Sequence, residues 1–82
     1  MIINDVLQHI EKIKNPEQYH QKNKTYALNY LGIIDNKQGD SENALTHYLE
    51  ALDICDAIQD SATIWLTLLN LGMFYRRHKD YI

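Results

Sequence analysis

Leu28-Asn29-Tyr30-Leu31-Gly32 and Leu68-Leu69-Asn70-Leu71-Gly72 share the pattern Leu-x-x-Leu-Gly at a constant separation of 40 residues. Asp40 and Asp80 stand at the same separation. A register held from the middle of a helix to the cap that follows it is the mark of an internal duplication, which chance rarely produces. The chain is therefore expected to use one supersecondary unit twice.

Outward from the first copy, an amphipathic helix is predicted from Pro16 to about Gln38, with Tyr19, Tyr26, Ala27, Tyr30, Leu31, Ile33 and Ile34 on its apolar side. Asn15 is its expected N-cap: proline pushes the preceding residue out of helical geometry but suits the first helical turn itself. Gly39-Asp40 reads as a stop followed by a start, because glycine tolerates the left-handed conformation after a helix and the aspartate can cap the next one. A helix over about Glu42 to Ile58 then carries Ala44, Leu45, Tyr48, Ala51, Leu52, Cys55 and Ile58 along one face. Gln59-Asp60-Ser61 breaks that pattern. Asp60 or Ser61 is expected to cap a last helix over Ala62 to Arg77, which bears Ile64, Trp65, Leu68, Leu69, Leu71, Phe74 and Tyr75 and is apolar on more than one side. Ahead of the first copy, Ile3, Val6, Leu7, Ile10 and Ile13 fall on one stripe of a further helix.

The expected fold is all-α, with about four helices in a single domain. It comprises an accessory N-terminal helix over 1–14, a first repeat over 16–58 and an incomplete second repeat over 61–82. Only three glycines and one proline are present, too few turn residues for an all-β fold. A chain of 82 residues buries a modest share of its surface, so its stability margin should be thin. The net charge of −3 argues against sequence-independent nucleic-acid binding, which needs clustered Lys and Arg. From Asp40 to Asp60 there are acidic residues and no Lys or Arg. That stretch reads either as a solvated outer surface or as a docking face for a basic partner. The one cysteine, Cys55, cannot form an internal disulfide, and no run approaches the roughly 18 apolar residues of a membrane span. No signal-peptide pattern opens the sequence, and a cytoplasmic location with no membrane association is the expectation.

The two copies resemble the tetratricopeptide repeat. The first reads Leu28, Leu31, Gly32, then Gly39-Asp40 at the turn and Ala44, Tyr48 and Ala51 on the second helix; the second reads Leu68, Leu71, Gly72 and Tyr75. The resemblance implies antiparallel helix-turn-helix pairs stacked into an α-α superhelix, with Gly32 facing the Ala44, Tyr48 and Ala51 stripe so that the two helices approach closely. The chain departs from the pattern at three points. Asp35 stands where the first copy should carry tyrosine, Asp56 stands where a proline should close the repeat, and the period is 40 where about 34 is usual. Long-period repeats of this kind occur in bacterial regulatory proteins and in signalling and motor adaptors of the family.

The resemblance also places a concave partner-binding surface on the first helix of each repeat. It would comprise Tyr26, Asn29, Ile33, Lys37, Leu66, Leu69, Asn70, Met73, Arg76 and Arg77. Within that set, Asn70 suits a peptide backbone because an amide both donates and accepts; the alternative is that it is solvated or bonds within its own repeat. Arg76 and Arg77 suit a partner carboxylate or, equally, the C-terminal end of their own helix. Tyr19, Tyr26 and Tyr30 could line a groove or pack between helices. Because the second repeat lacks its partner helix, the chain is expected to be a piece of a longer array or to self-associate through Trp65 and Phe74 on an uncovered helix.

No catalytic or metal constellation emerges. Cys55 lies on an apolar stripe with no histidine at pairing distance along the helix, and His9, His20, His47 and His78 are scattered. No phosphate-cradling glycine loop is present, so no cofactor is expected. The function expected is non-enzymatic: a protein-protein interaction scaffold from a bacterial regulatory or signalling protein, with a protein or peptide as partner and a homo-oligomeric assembly. Two alternatives are a peptide-sensing regulator module and a plain oligomerisation domain.

Overall fold

The computed structural model describes residues 9, 10 and 14–79. The accessory helix expected over 1–14 lies largely outside the described residues. These form three helices, α1 at Pro16–Lys37, α2 at Ser41–Ala57 and α3 at Ser61–Arg77, and contain no strand.

Each helix begins on a side-chain cap. The Asn15 side-chain oxygen accepts the Gln18 backbone N–H at 3.1 Å, Asp40 accepts that of Asn43 at 3.3 Å, and Asp60 accepts that of Thr63 at 3.1 Å. Asp60, not Ser61, is thus the cap of α3. The ends of α1 and α2 are also alike. Gly39 has φ +82°, its N–H donates to the Asn36 carbonyl at 3.2 Å, and the Asp40 N–H reaches back to the Asp35 carbonyl at 2.8 Å. Twenty residues later Gln59 takes φ +52° and makes the corresponding pair of bonds to Asp56 and Cys55. This double bond to the last turn is the Schellman arrangement, which satisfies carbonyls that a helix end leaves open. At Gln59 a side chain occupies a conformation that disfavours Cβ by roughly 1–2 kcal/mol. Its amide is held by the Asp56 carbonyl at 2.6 Å.

The three helices pack around one stripe of α2. Ala44, Tyr48, Ala51 and Cys55 recur at steps of four, three and four and are all buried. α1 lies antiparallel to this stripe: Gly32 meets Tyr48, and Gln18 at the opposite end of α1 donates to the Ile58 carbonyl at 3.3 Å. The approach at Gly32 is very close. A Cβ there would stand 2.5 to 2.8 Å from three carbons of the Tyr48 ring. α3 returns parallel to α1 and seals the other side of the stripe with Leu71 and Phe74, while Ile33, Leu45, Leu52 and Tyr75 close the margins. The Tyr48 and Phe74 rings meet edge to face with centroids 6.3 Å apart, a favourable aromatic geometry.

One expectation is corrected here. Phe74 is 1% exposed and belongs to the core, whereas Trp65 is 74% exposed, so the two rings do not share an uncovered face. They are nine residues apart, which in a helix at 100° per residue places them on opposite sides. Phe74→Ala is expected to remove about 3–5 kcal/mol, enough to unfold much of a domain this small. Trp65→Ala should stay within about 0.5 kcal/mol of the parent. Urea melts followed by far-UV circular dichroism would check both.

Candidate functional site

α1 and α3 run side by side, and their C-terminal halves enclose a groove of about 220 Å³ lined by Ile33, Asn36, Lys37, Tyr48, Asn70, Met73, Phe74 and Arg77. Tyr48 and Phe74, both buried, and Ile33 and Met73 give it apolar surface, and two amides and two cations supply the polar groups. Lys37 and Arg77 each sit in the last turn of their helix. A helix C-terminus carries roughly half a negative charge, so a full positive charge at each end leaves the groove mouth cationic. The chain as a whole is acidic, with a net charge of −3.

A buried hydrogen-bond network fixes the polar wall. Asn29, 2% exposed, donates from its amide to the Thr25 carbonyl at 3.0 Å and to the Thr67 hydroxyl at 2.9 Å, and its side-chain oxygen accepts the Asn70 amide at 2.8 Å. Thr67 in turn donates to the Thr63 carbonyl at 2.7 Å, and Thr63 donates to the Asp60 cap. No buried side-chain nitrogen or oxygen among the described residues lacks a partner, as a network inside a core requires. Asn70 is therefore held in one orientation by a bond from α3 to α1, with its remaining hydrogen-bonding capacity available at the groove. At the far end the His78 ring, Nε2 3.0 Å from the Asn36 side-chain oxygen, stacks on Phe74 with centroids 4.5 Å apart.

Behind the groove, Asp35 and His47 join α1 to α2, carboxylate oxygen to Nδ1 at 2.5 Å, with both side chains partly shielded. Asp35 is thus held in a polar clasp between the two helices. The neighbouring Tyr48 phenol is pushed above its ordinary value by burial and, secondarily, by the Asp35 charge.

Of the ten residues expected on a concave surface, Ile33, Lys37, Asn70, Met73 and Arg77 line this groove. Tyr26 and Leu66 are half-buried and lie seven residues before Ile33 and Met73, continuing the same sides of their helices. Asn29 is not on an open surface; it is buried behind Asn70 because its amide bridges α1 and α3. Leu69 and Arg76 face away from the groove, with Leu68, Gly72 and the edge of Met73. The sequence reading missed Asn36, Tyr48 and Phe74 as lining residues. It also missed Thr25, Thr63 and Thr67 as buried ones, because a search for apolar periodicity passes over threonine. Cys55 is buried, its sulfur 3.8 Å from the Thr67 hydroxyl. A second hollow, about 520 Å³, lies between the start of α1 and the end of α2, where the charged side chains among the described lining residues, Glu17 and Asp53, are acidic.

Among the described residues no cluster of three His, Cys, Asp or Glu side chains could hold a metal, and no helix is long and apolar enough to cross a membrane. Comparison with protein-family models, with curated proteins and with solved structures gave no match.

The Tyr48 shift has a signed consequence. A phenol whose pKa is raised by folding contributes stability that is intact below about pH 10 and is lost above it, where the unfolded chain ionises first. The urea midpoint should therefore fall as the pH rises above about 10, and fall less steeply in Tyr48→Phe, as urea melts on either side of that pH would show.

Proposed function

We propose that this chain is a protein-protein interaction module of the tetratricopeptide type, part of a regulatory or signalling protein, that binds an acidic peptide in the groove between α1 and α3 and catalyses no reaction. The observation that supports this most is the convergence of Lys37 and Arg77 with the amides of Asn36 and Asn70 over an apolar floor. Such a surface can pair cations with carboxylates, satisfy the backbone of an extended segment through its amides, and shelter alternate side chains on Ile33, Met73 and Phe74. The Leu-Gly repeats 40 residues apart and the Gly32 to Tyr48 approach support the family reading.

Fluorescence anisotropy with labelled acidic and basic peptides tests this. Acidic peptides should bind and basic ones should not. Lys37→Glu with Arg77→Glu should weaken binding by roughly tenfold or more and reduce its salt dependence. Arg76→Glu, turned about 100° from Arg77 and outside the groove lining, should leave binding close to the parent. Equal loss from both charge reversals, or no preference for acidic peptides, would contradict the proposal.

A further inference from the structure

The hollow between the start of α1 and the end of α2, about 520 Å³, has more than twice the volume of the groove between α1 and α3, about 220 Å³. Sites for small ligands run from about 300 to 1,000 Å³, a range that the hollow enters and the groove does not. Ile54, Ala57 and Ile58 give the hollow an apolar floor. Its polar groups present acceptors. The Asn15 amide donates to the Gln18 side-chain oxygen at 2.9 Å, and the Gln18 amide donates to the Ile58 carbonyl at 3.3 Å, so both direct N–H groups back onto the chain. The ionised carboxylates of Glu17 and Asp53 can only accept, and no ion pair among the described residues engages either of them. The end of α2 adds to the same charge. α1 has Lys37 in its last turn and α3 has Arg76 and Arg77, whereas α2 has no basic residue there and carries Asp56, with Asp53 just before it. The carbonyl end of a helix is its negative end, which favours a cation and opposes a carboxylate.

We propose that this hollow binds a small linear diamine, an aliphatic chain with an ammonium group at each end. An ammonium group has three donors and no acceptor, the complement of a site built from carboxylates, amide oxygens and a helix C-terminus. The register of the two helices sets the spacing. Gln18 meets the Ile58 carbonyl, so its neighbour Glu17 stands level with the end of α2, whereas Asp53 lies five residues before Ile58. At the rise of an α-helix the two positions are separated by roughly 8 Å along the α2 axis. A chain of about five methylenes bridges a gap of that order, lays its carbons on Ile54, Ala57 and Ile58, and brings one ammonium group to each carboxylate. A lysine side chain of a protein partner suits the hollow less well, because it brings one charge on a stem tied to a backbone and reaches only one of the two carboxylates. The hollow lies at the other end of α1 from the Lys37 and Arg77 groove, and the inference does not rest on peptide binding there.

Titration of cadaverine into the isotope-labelled full chain, followed by amide NMR, tests this. The amides of Gln18, Gln21, Ile54 and Ile58 should shift together with a midpoint at roughly millimolar concentration or below. Pentylamine, which carries one charge on the same hydrocarbon chain, should bind about tenfold more weakly or worse, and pentanediol should leave the spectrum unchanged. Glu17→Gln with Asp53→Asn should weaken cadaverine binding by about tenfold or more; both side chains are exposed, so the circular dichroism spectrum should stay that of the parent. Glu42→Gln with Glu50→Gln removes the same charge outside the lining and, at physiological salt, should leave the affinity within about twofold of the parent. No shift of these amides at millimolar cadaverine would overturn the proposal, as would equal losses in the two double variants or equal binding of pentylamine. A lysine-rich peptide that shifts the same amides at lower concentration than cadaverine would also overturn it, by making a protein the occupant.

Discussion

The structure depends on the distance between α1 and α2 at Gly32. With the Tyr48 ring lying where a side chain would begin, the two helices are as close as backbone and ring permit. Everything else on α2 is arranged for that approach. Ala44 and Ala51, one turn to either side of Tyr48, are too small to hold the helices apart, and both are fully buried. The ring, fixed on one edge by Gly32, offers another to Phe74 and so positions α3. Close packing of this kind transmits volume changes directly, since an interior at crystal-like density has no slack to absorb even one methyl group.

From that contact follows the parallel course of α1 and α3 and hence the groove between them. Because both helices pack on one stripe of α2, residues about 40 apart come side by side: Asn29 with Thr67 and Asn70, and Asn36 with His78. The polar network from Asp60 through Thr63 and Thr67 to Asn29 and Asn70 gives the interface a fixed register that apolar packing alone would define less sharply. It also sets the orientation of the one amide that both the network and the groove use.

Much of the architecture was legible in the sequence. The Leu-x-x-Leu-Gly repeat, the caps at Asn15, Asp40 and Asp60, the turn at Gly39 and the α2 stripe all act through local chemistry that spacing reveals. The rotation of α3 was not legible. Its most apolar residues, Trp65, Leu68 and Leu69, face outward, and its inner face is built from Thr63 and Thr67 as well as Leu71 and Phe74. Threonine can be buried in a helix when its hydroxyl returns to the carbonyl four residues back, as Thr67 does to Thr63. Hydropathy does not register that option. The same blindness placed Asn29 on an open surface and Phe74 on an exposed one. Half of the expected groove residues lie in it because the 40-residue register set Ile33 beside Met73 and Lys37 beside Arg77, although the helical phase of Leu69 and Arg76 was misjudged.

The central claim is that Gly32 and Gly72 hold the same place in a repeated unit, one with its neighbouring helix in contact and one without. Thermal or urea unfolding of Gly32→Ala and Gly72→Ala, measured side by side, tests it most directly. At Gly32 the added methyl meets the buried Tyr48 ring and should cost about 1–3 kcal/mol. At Gly72 it meets open space, and exchanging glycine for alanine inside a helix should stabilise the chain by up to about 1 kcal/mol. Opposite signs are the predicted result; a matching change at both positions would contradict the account.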